Sequence, residues 1–69
     1  MINNLYMVSG TYNAYPIKAK TFKSNKKAEK YLDSLITSLD VQVENILKSS
    51  NVSTYVANDY SRFMITRLA

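Results

Sequence analysis

Ser24-Asn25-Lys26-Lys27-Ala28-Glu29-Lys30-Tyr31-Leu32-Asp33-Ser34-Leu35-Ile36-Thr37-Ser38-Leu39-Asp40-Val41-Gln42-Val43-Glu44-Asn45-Ile46-Leu47-Lys48 is the stretch on which the fold turns. Its apolar positions Ala28, Leu32, Leu35, Leu39, Val43 and Ile46 are spaced 4, 3, 4, 4 and 3 apart. At about 100° per residue they fall within an arc of roughly 80°. One phase held that long predicts a continuous amphipathic helix over 25–48, capped by Ser24 and laid along one face of a sheet. A competing reading breaks the helix near Ser38 to Asp40, because Asp40 suits a second cap and Val41-Gln42-Val43-Glu44 alternates like a strand.

On either side the chain reads as strands. Residues 4–12 are aromatic, β-branched and apolar with no helical period, and Gly10 is a candidate bulge. A short turn at Asn13-Ala14 leads into residues 15–23, where Tyr15, Ile17 and Ala19 alternate with Pro16, Lys18 and Lys20. Proline and outward lysines are the marks of a protected sheet edge. After Ser49-Ser50-Asn51, residues 52–57 read as a third strand. Asn58-Asp59-Tyr60-Ser61 turns the chain into a fourth, Arg62 to Leu68.

The expected architecture is a single α+β domain over 1–69. It has two layers: a four-stranded, mostly antiparallel sheet in the order β-β-α-β-β, covered on one face by one long helix. The first and fourth strands are apolar on both sides and belong at the centre, giving the spatial order 2-1-4-3. The face opposite the helix is expected to present Tyr6 or Tyr12, and Tyr55.

Composition removes most chemistry. The 69 residues contain no Cys, no His and one Gly, so disulfides, thiolate or imidazole metal sites, a histidine base and a glycine-rich phosphate loop are all ruled out. The expectation is a non-enzyme without cofactor or metal. No apolar run approaches the roughly 20 residues that span a bilayer. Met1-Ile2-Asn3-Asn4 lacks the basic start of a signal peptide, so no membrane association is expected and the expected location is cytoplasmic.

Charge is unevenly distributed. The net value is +4, yet Lys18, Lys20, Lys23, Lys26, Lys27 and Lys30 face only Glu29 within their segment. Lysines protect edges and aid solubility, but Lys26 and Lys27 stand in the first helical turn, where the macrodipole opposes them by about 0.3–1 kcal/mol each. Local rules are most often broken where function requires it, which makes this patch a candidate for phosphates or an acidic protein surface. Glu29, Asp33, Asp40 and Glu44 form a second candidate strip, within roughly 60° on the predicted helix. It reads as a solvated ridge or as a contact for a basic surface. Tyrosines on the open face, with the lysines, are the elements of single-strand nucleic-acid binding, although no RNP-type motif is present.

In size and plan, with a helix entered through Thr21-Phe22-Lys23-Ser24-Asn25-Lys26-Lys27-Ala28-Glu29-Lys30-Tyr31-Leu32 between two hairpins, the chain resembles small phage-encoded accessory proteins of the anti-CRISPR and host-takeover type. The resemblance implies a binding protein, active in a host cytoplasm, that inhibits or redirects a protein or nucleoprotein target. Two other readings stand beside it: direct DNA or RNA binding through the Lys18 to Lys30 patch, and a structural homo-oligomer such as a homodimer.

Overall fold

A computed structural model describes residues 5–68. The strands are β1 (Tyr6–Tyr12), β2 (Tyr15–Pro16), β3 (Lys20–Phe22), β4 (Asn45–Lys48), β5 (Val52–Asn58) and β6 (Ser61–Arg67), with one helix, α1 (Asn25–Ser38), between β3 and β4. Asn4, assigned to the first strand by its composition, lies outside the described residues.

The helix begins as expected and ends early. Ser24 takes an extended conformation and its hydroxyl accepts from the Lys27 N–H at 3.3 Å, satisfying one of the free donors of the first turn. At the other end Asp40 has φ 55. The Asp40 N–H donates to the Thr37 carbonyl and the Val41 N–H to the Ile36 carbonyl, both at 3.1 Å. These two bonds form a Schellman cap with Asp40 as the left-handed residue, and Val41 and Ile36 both pack against the core beside it. The helix predicted over 25–48 therefore stops at Ser38. Asp40 reverses the chain instead of starting a second helix, and Asn45–Lys48 becomes a strand. Continued apolar phase across a turn misled the reading, because Val43 and Ile46 satisfy a helical spacing and a short strand equally well.

All strand pairings are antiparallel, in the order β2-β1-β6-β5-β4, with β3 also on β1. The sheet thus has six strands where four were expected. The order 2-1-4-3 is present, with the predicted second strand divided into β2 and β3 and with β4 added outside β5. From Lys20 back to Pro16 the edge spends four residues while β1 advances three, from Val8 to Thr11. That extra residue breaks the edge into its two short pieces.

Asn13 and Ala14 have φ 51 and 69, the two left-handed positions of a tight hairpin turn. This turn is fastened to the opposite one: the Ala14 N–H donates to the Tyr60 carbonyl at 2.8 Å, and the Asn13 N–H to the buried Ser61 hydroxyl at 3.1 Å. Gly10 is not a bulge. It pairs in regular register with Phe63 and has φ +148, and a Cβ there would overlap the Arg62 carbonyl oxygen and lie 2.8 Å from the Phe63 Cα. The bulge lies instead at Ala57, between the Val56 and Asn58 pairings of β5 with β6.

The core is formed by Val8, Phe63 and Ile65 from the centre of the sheet and Ala28 and Leu32 from the helix. Tyr6, Tyr12, Phe22, Tyr31, Leu35, Ile36, Leu39 and Tyr55 close around it. α1 approaches β1, β3 and β6. Among the described residues its backbone reaches neither β4 nor β5.

Candidate functional site: a groove beside the helix and a basic band across its start

Because α1 sits over β1, β3 and β6, the outer part of the same sheet face, on β5 and β4, stays open. The result is a groove of about 650 Å³ lined by Lys26, Glu29, Lys30, Leu32, Asp33, Ile36, Val43, Ile46 and Tyr55. Leu32, Ile36, Val43, Ile46 and Tyr55 supply its apolar surface. Lys26, Glu29, Lys30, Asp33 and Ile36 follow one flank of the helix at i, i+3 and i+4 spacing, which is why they share one wall. Tyr55 is half-buried and lies near enough to the two carboxylates to feel their charge. Its pKa is raised, first by desolvation, then by the negative charges of Glu29 and Asp33.

The charge pattern on this wall is mixed, since Lys26 with Glu29 and Lys30 with Asp33 are opposite charges at i, i+3, which favour the helix by roughly 0.2–0.5 kcal/mol per pair. Lys26 and Lys30 are like charges at i, i+4, and so are Glu29 and Asp33. Each such pair disfavours an isolated helix by roughly 0.2–0.5 kcal/mol. The Asn25 side-chain amide offsets part of this by donating to Glu29 Oε1 at 2.9 Å.

Lys18, Lys20, Lys23, Lys26, Lys27 and Lys30 are all exposed. They run from the β3 edge over the start of the helix to the groove. The first helical turn has no acidic residue to answer Lys26 and Lys27. Lys20 is fixed by aromatic faces, with its Nζ 4.9 Å from the Tyr31 ring centre and 6.0 Å from that of Phe22. Those two rings are themselves 5.1 Å apart.

The other candidates are placed differently from expectation. Tyr6 and Tyr12 lie on the same side of β1 as Val8, and Tyr55 pairs with core Phe63, so all three stand on the helix face and pack against the core. The expected tyrosine-bearing open face does not exist. Strand parity puts Met7, Ser9, Thr11, Thr54, Val56, Met64 and Thr66 there instead. The acidic strip also divides: Glu29 and Asp33 stay on the helix, Asp40 caps its end, and Glu44 precedes β4. Asp40 and Glu44 line a separate polar hollow with Tyr12, Asn13 and Asn58. Ile36, Val43 and Ile46, the residues that sequence reasoning assigned to a stripe under a long helix or left out, are the floor of the groove.

Among the described residues no helix is long and apolar enough to cross a membrane, and no three His, Cys, Asp or Glu side chains group as a metal site. No family model, curated protein or solved structure matches the chain. The fold and the groove define an α+β protein with one helix on an open six-stranded antiparallel sheet.

Proposed function

We propose that this chain is a non-catalytic binding protein whose groove between α1 and β4–β5 receives a segment of a partner protein. The supporting observation is the groove's composition: an apolar floor of Leu32, Ile36, Val43, Ile46 and Tyr55, beside the exposed carboxylates of Glu29 and Asp33. A segment with apolar side chains and one Lys or Arg complements it. The apolar groups fill the floor, and the cation answers Glu29 and Asp33, whose mutual repulsion is then relieved. The lysine band flanking the groove suits an acidic surface on the same target and speeds encounter. Blocking or redirecting a host protein or nucleoprotein complex is the use that fits a protein of this size and plan, as in the phage-encoded proteins it resembles.

Peptide display against the immobilised protein tests this reading. Enriched sequences are expected to combine apolar residues with Lys or Arg, and to lose binding to Asp33→Lys and Ile36→Lys. Sequences that bind both variants as well as the parent would contradict it.

A second reading has its own support in the six exposed lysines. A nucleic-acid backbone bound there would dissociate steeply as salt rises, and Lys26→Glu with Lys27→Glu would weaken it while leaving the fold intact. Base stacking on Tyr6 and Tyr12 forms no part of this reading, since both rings pack against the core, and Tyr55 lines the groove on the helix face. Absence of binding to any nucleic acid at low salt would remove it.

A further inference from the structure

Among the described residues, no element covers the sheet face opposite α1. Strand pairing sets its side chains in rows: Thr21, Met7, Thr66 and Val52 lie side by side in one, and Ser9, Met64, Thr54 and Leu47 in the next. Each row alternates a hydroxyl with an apolar group. Met7, Met64 and Val52 are half-buried, and Leu47 is 56% exposed. Charged residues make up 20% of the chain, yet no Lys, Asp or Glu joins these rows. Arg62, the one charge that strand parity adds to the face, stands at its end beside the β5–β6 turn. A methionine-bearing patch stripped of lysine and carboxylate has the composition of an interface centre.

We propose that this face packs against the same face of a second copy, giving a dimer with the two sheets back to back and a helix on each outer side. Area permits it. The three central strands, β1, β6 and β5, have 7 residues each. With a further strand on either side, spacings of about 4.8 Å between strands and 3.3 Å per residue give a face of roughly 500 Å² per copy. Two copies together reach roughly 1,000 Å², the size at which a specific contact holds. Charge favours this orientation of like chains: each copy carries +4, and contact on the face opposite the helix keeps the two lysine bands apart. The fold has a use for the contact. Among the described residues six apolar side chains are buried, two of them alanines. A domain this small leans on a disulfide, a metal or a partner, and the chain has neither Cys nor His. Another copy is the partner present wherever the chain folds. The grooves stay open on the outer sides, so the contact is independent of what they receive.

Sedimentation equilibrium of the full chain without ligand tests the contact. The parent is expected to dimerise, and Met64→Lys to raise the dissociation constant about tenfold or more, because a charge then stands at the centre of the joined faces. Leu47→Lys alters a position already 56% exposed, which the monomer tolerates, and is expected to weaken the dimer in the same direction. Ile36→Lys and Ile46→Lys, in the groove, are expected to leave the dissociation constant unchanged. The parent's melting temperature should rise more steeply with protein concentration than that of Met64→Lys. A parent that stays monomeric at millimolar concentration overturns the proposal. So does a dimer indifferent to Met64→Lys and Leu47→Lys but lost on Ile46→Lys, which would put the contact at the groove.

Discussion

One face of one sheet has two fates in this molecule. Under α1, Val8 and Phe63 are 0% and Ile65 is 3% exposed, whereas Ile46, on the same side of β4, is 51% exposed. Apolarity does not distinguish them. The difference is set by where the helix lies: α1 covers β1, β3 and β6 and leaves β5 and β4 beside it uncovered, and Asp40 turns the chain back toward the outermost strand. The half that is covered holds the fold together, and the half left open keeps Ile46 in contact with solvent.

Substitutions in the two halves should differ accordingly. The largest effect is expected under the helix's strands, from Gly10→Ala, which drives a Cβ into the Arg62 carbonyl at a φ of +148. A loss of more than about 3 kcal/mol is expected in urea unfolding. Next, Leu32→Ala should cost about 2–5 kcal/mol, while Ile46→Ala, at a half-exposed site, should cost under about 1 kcal/mol. Equal losses at the two positions would mean that the open half is packed after all. Ser24→Ala removes the hydroxyl that holds the Lys27 N–H and should cost about 1 kcal/mol.

Asp40→Gly should act in the opposite direction. Glycine takes the left-handed conformation without the Cβ penalty, so a gain of about 0.5–1 kcal/mol is expected in the same assay. A loss would show that Asp40 is not the residue that reverses the chain. The smallest effect concerns Tyr55. Its pKa stands above the ordinary 10.0, through burial first and then Glu29 and Asp33. The fold therefore favours the neutral phenol, and this contribution to stability is intact below pH 10.0 and is lost as pH rises through the raised value. Asp33→Asn should bring the phenolate absorbance transition down toward the ordinary value, with Tyr55→Phe identifying which transition is being read.

Much of this was legible in the residues. Ser24 as a cap, Asn13-Ala14 and Asn58 to Ser61 as turns, the central places of β1 and β6, and Pro16 with its neighbouring lysines at an edge all follow from local chemistry, and the structure has each of them. The break near Ser38 to Asp40 was one of two readings the residues allowed, and the structure has it; local chemistry did not choose it, because Leu39, Val43 and Ile46 continue the helical phase while pairing with β5, a long-range event, decides the conformation of the last of them. The strand-like alternation of Val41-Gln42-Val43-Glu44 pointed away from a helix, but the strand itself forms one step later, at Asn45–Lys48. Which face the tyrosines occupy depends on strand parity: Tyr6 and Met7 are both credible core residues, and only the partners Val8, Phe63 and Ile65 decide between them. The lysine band could be read from composition alone. The groove could not, since it depends on which strands the helix sits over, β1, β3 and β6, a tertiary choice that leaves β5 and β4 open.

The early end of α1 and the strand that follows can be observed directly by solution NMR. Cross-strand contacts joining Ile46 to Tyr55 and Lys48 to Ser53 are expected, with helical i, i+3 contacts ceasing at Ser38. An unbroken run of helical contacts from Asn25 to Lys48 would contradict the fold and the groove together.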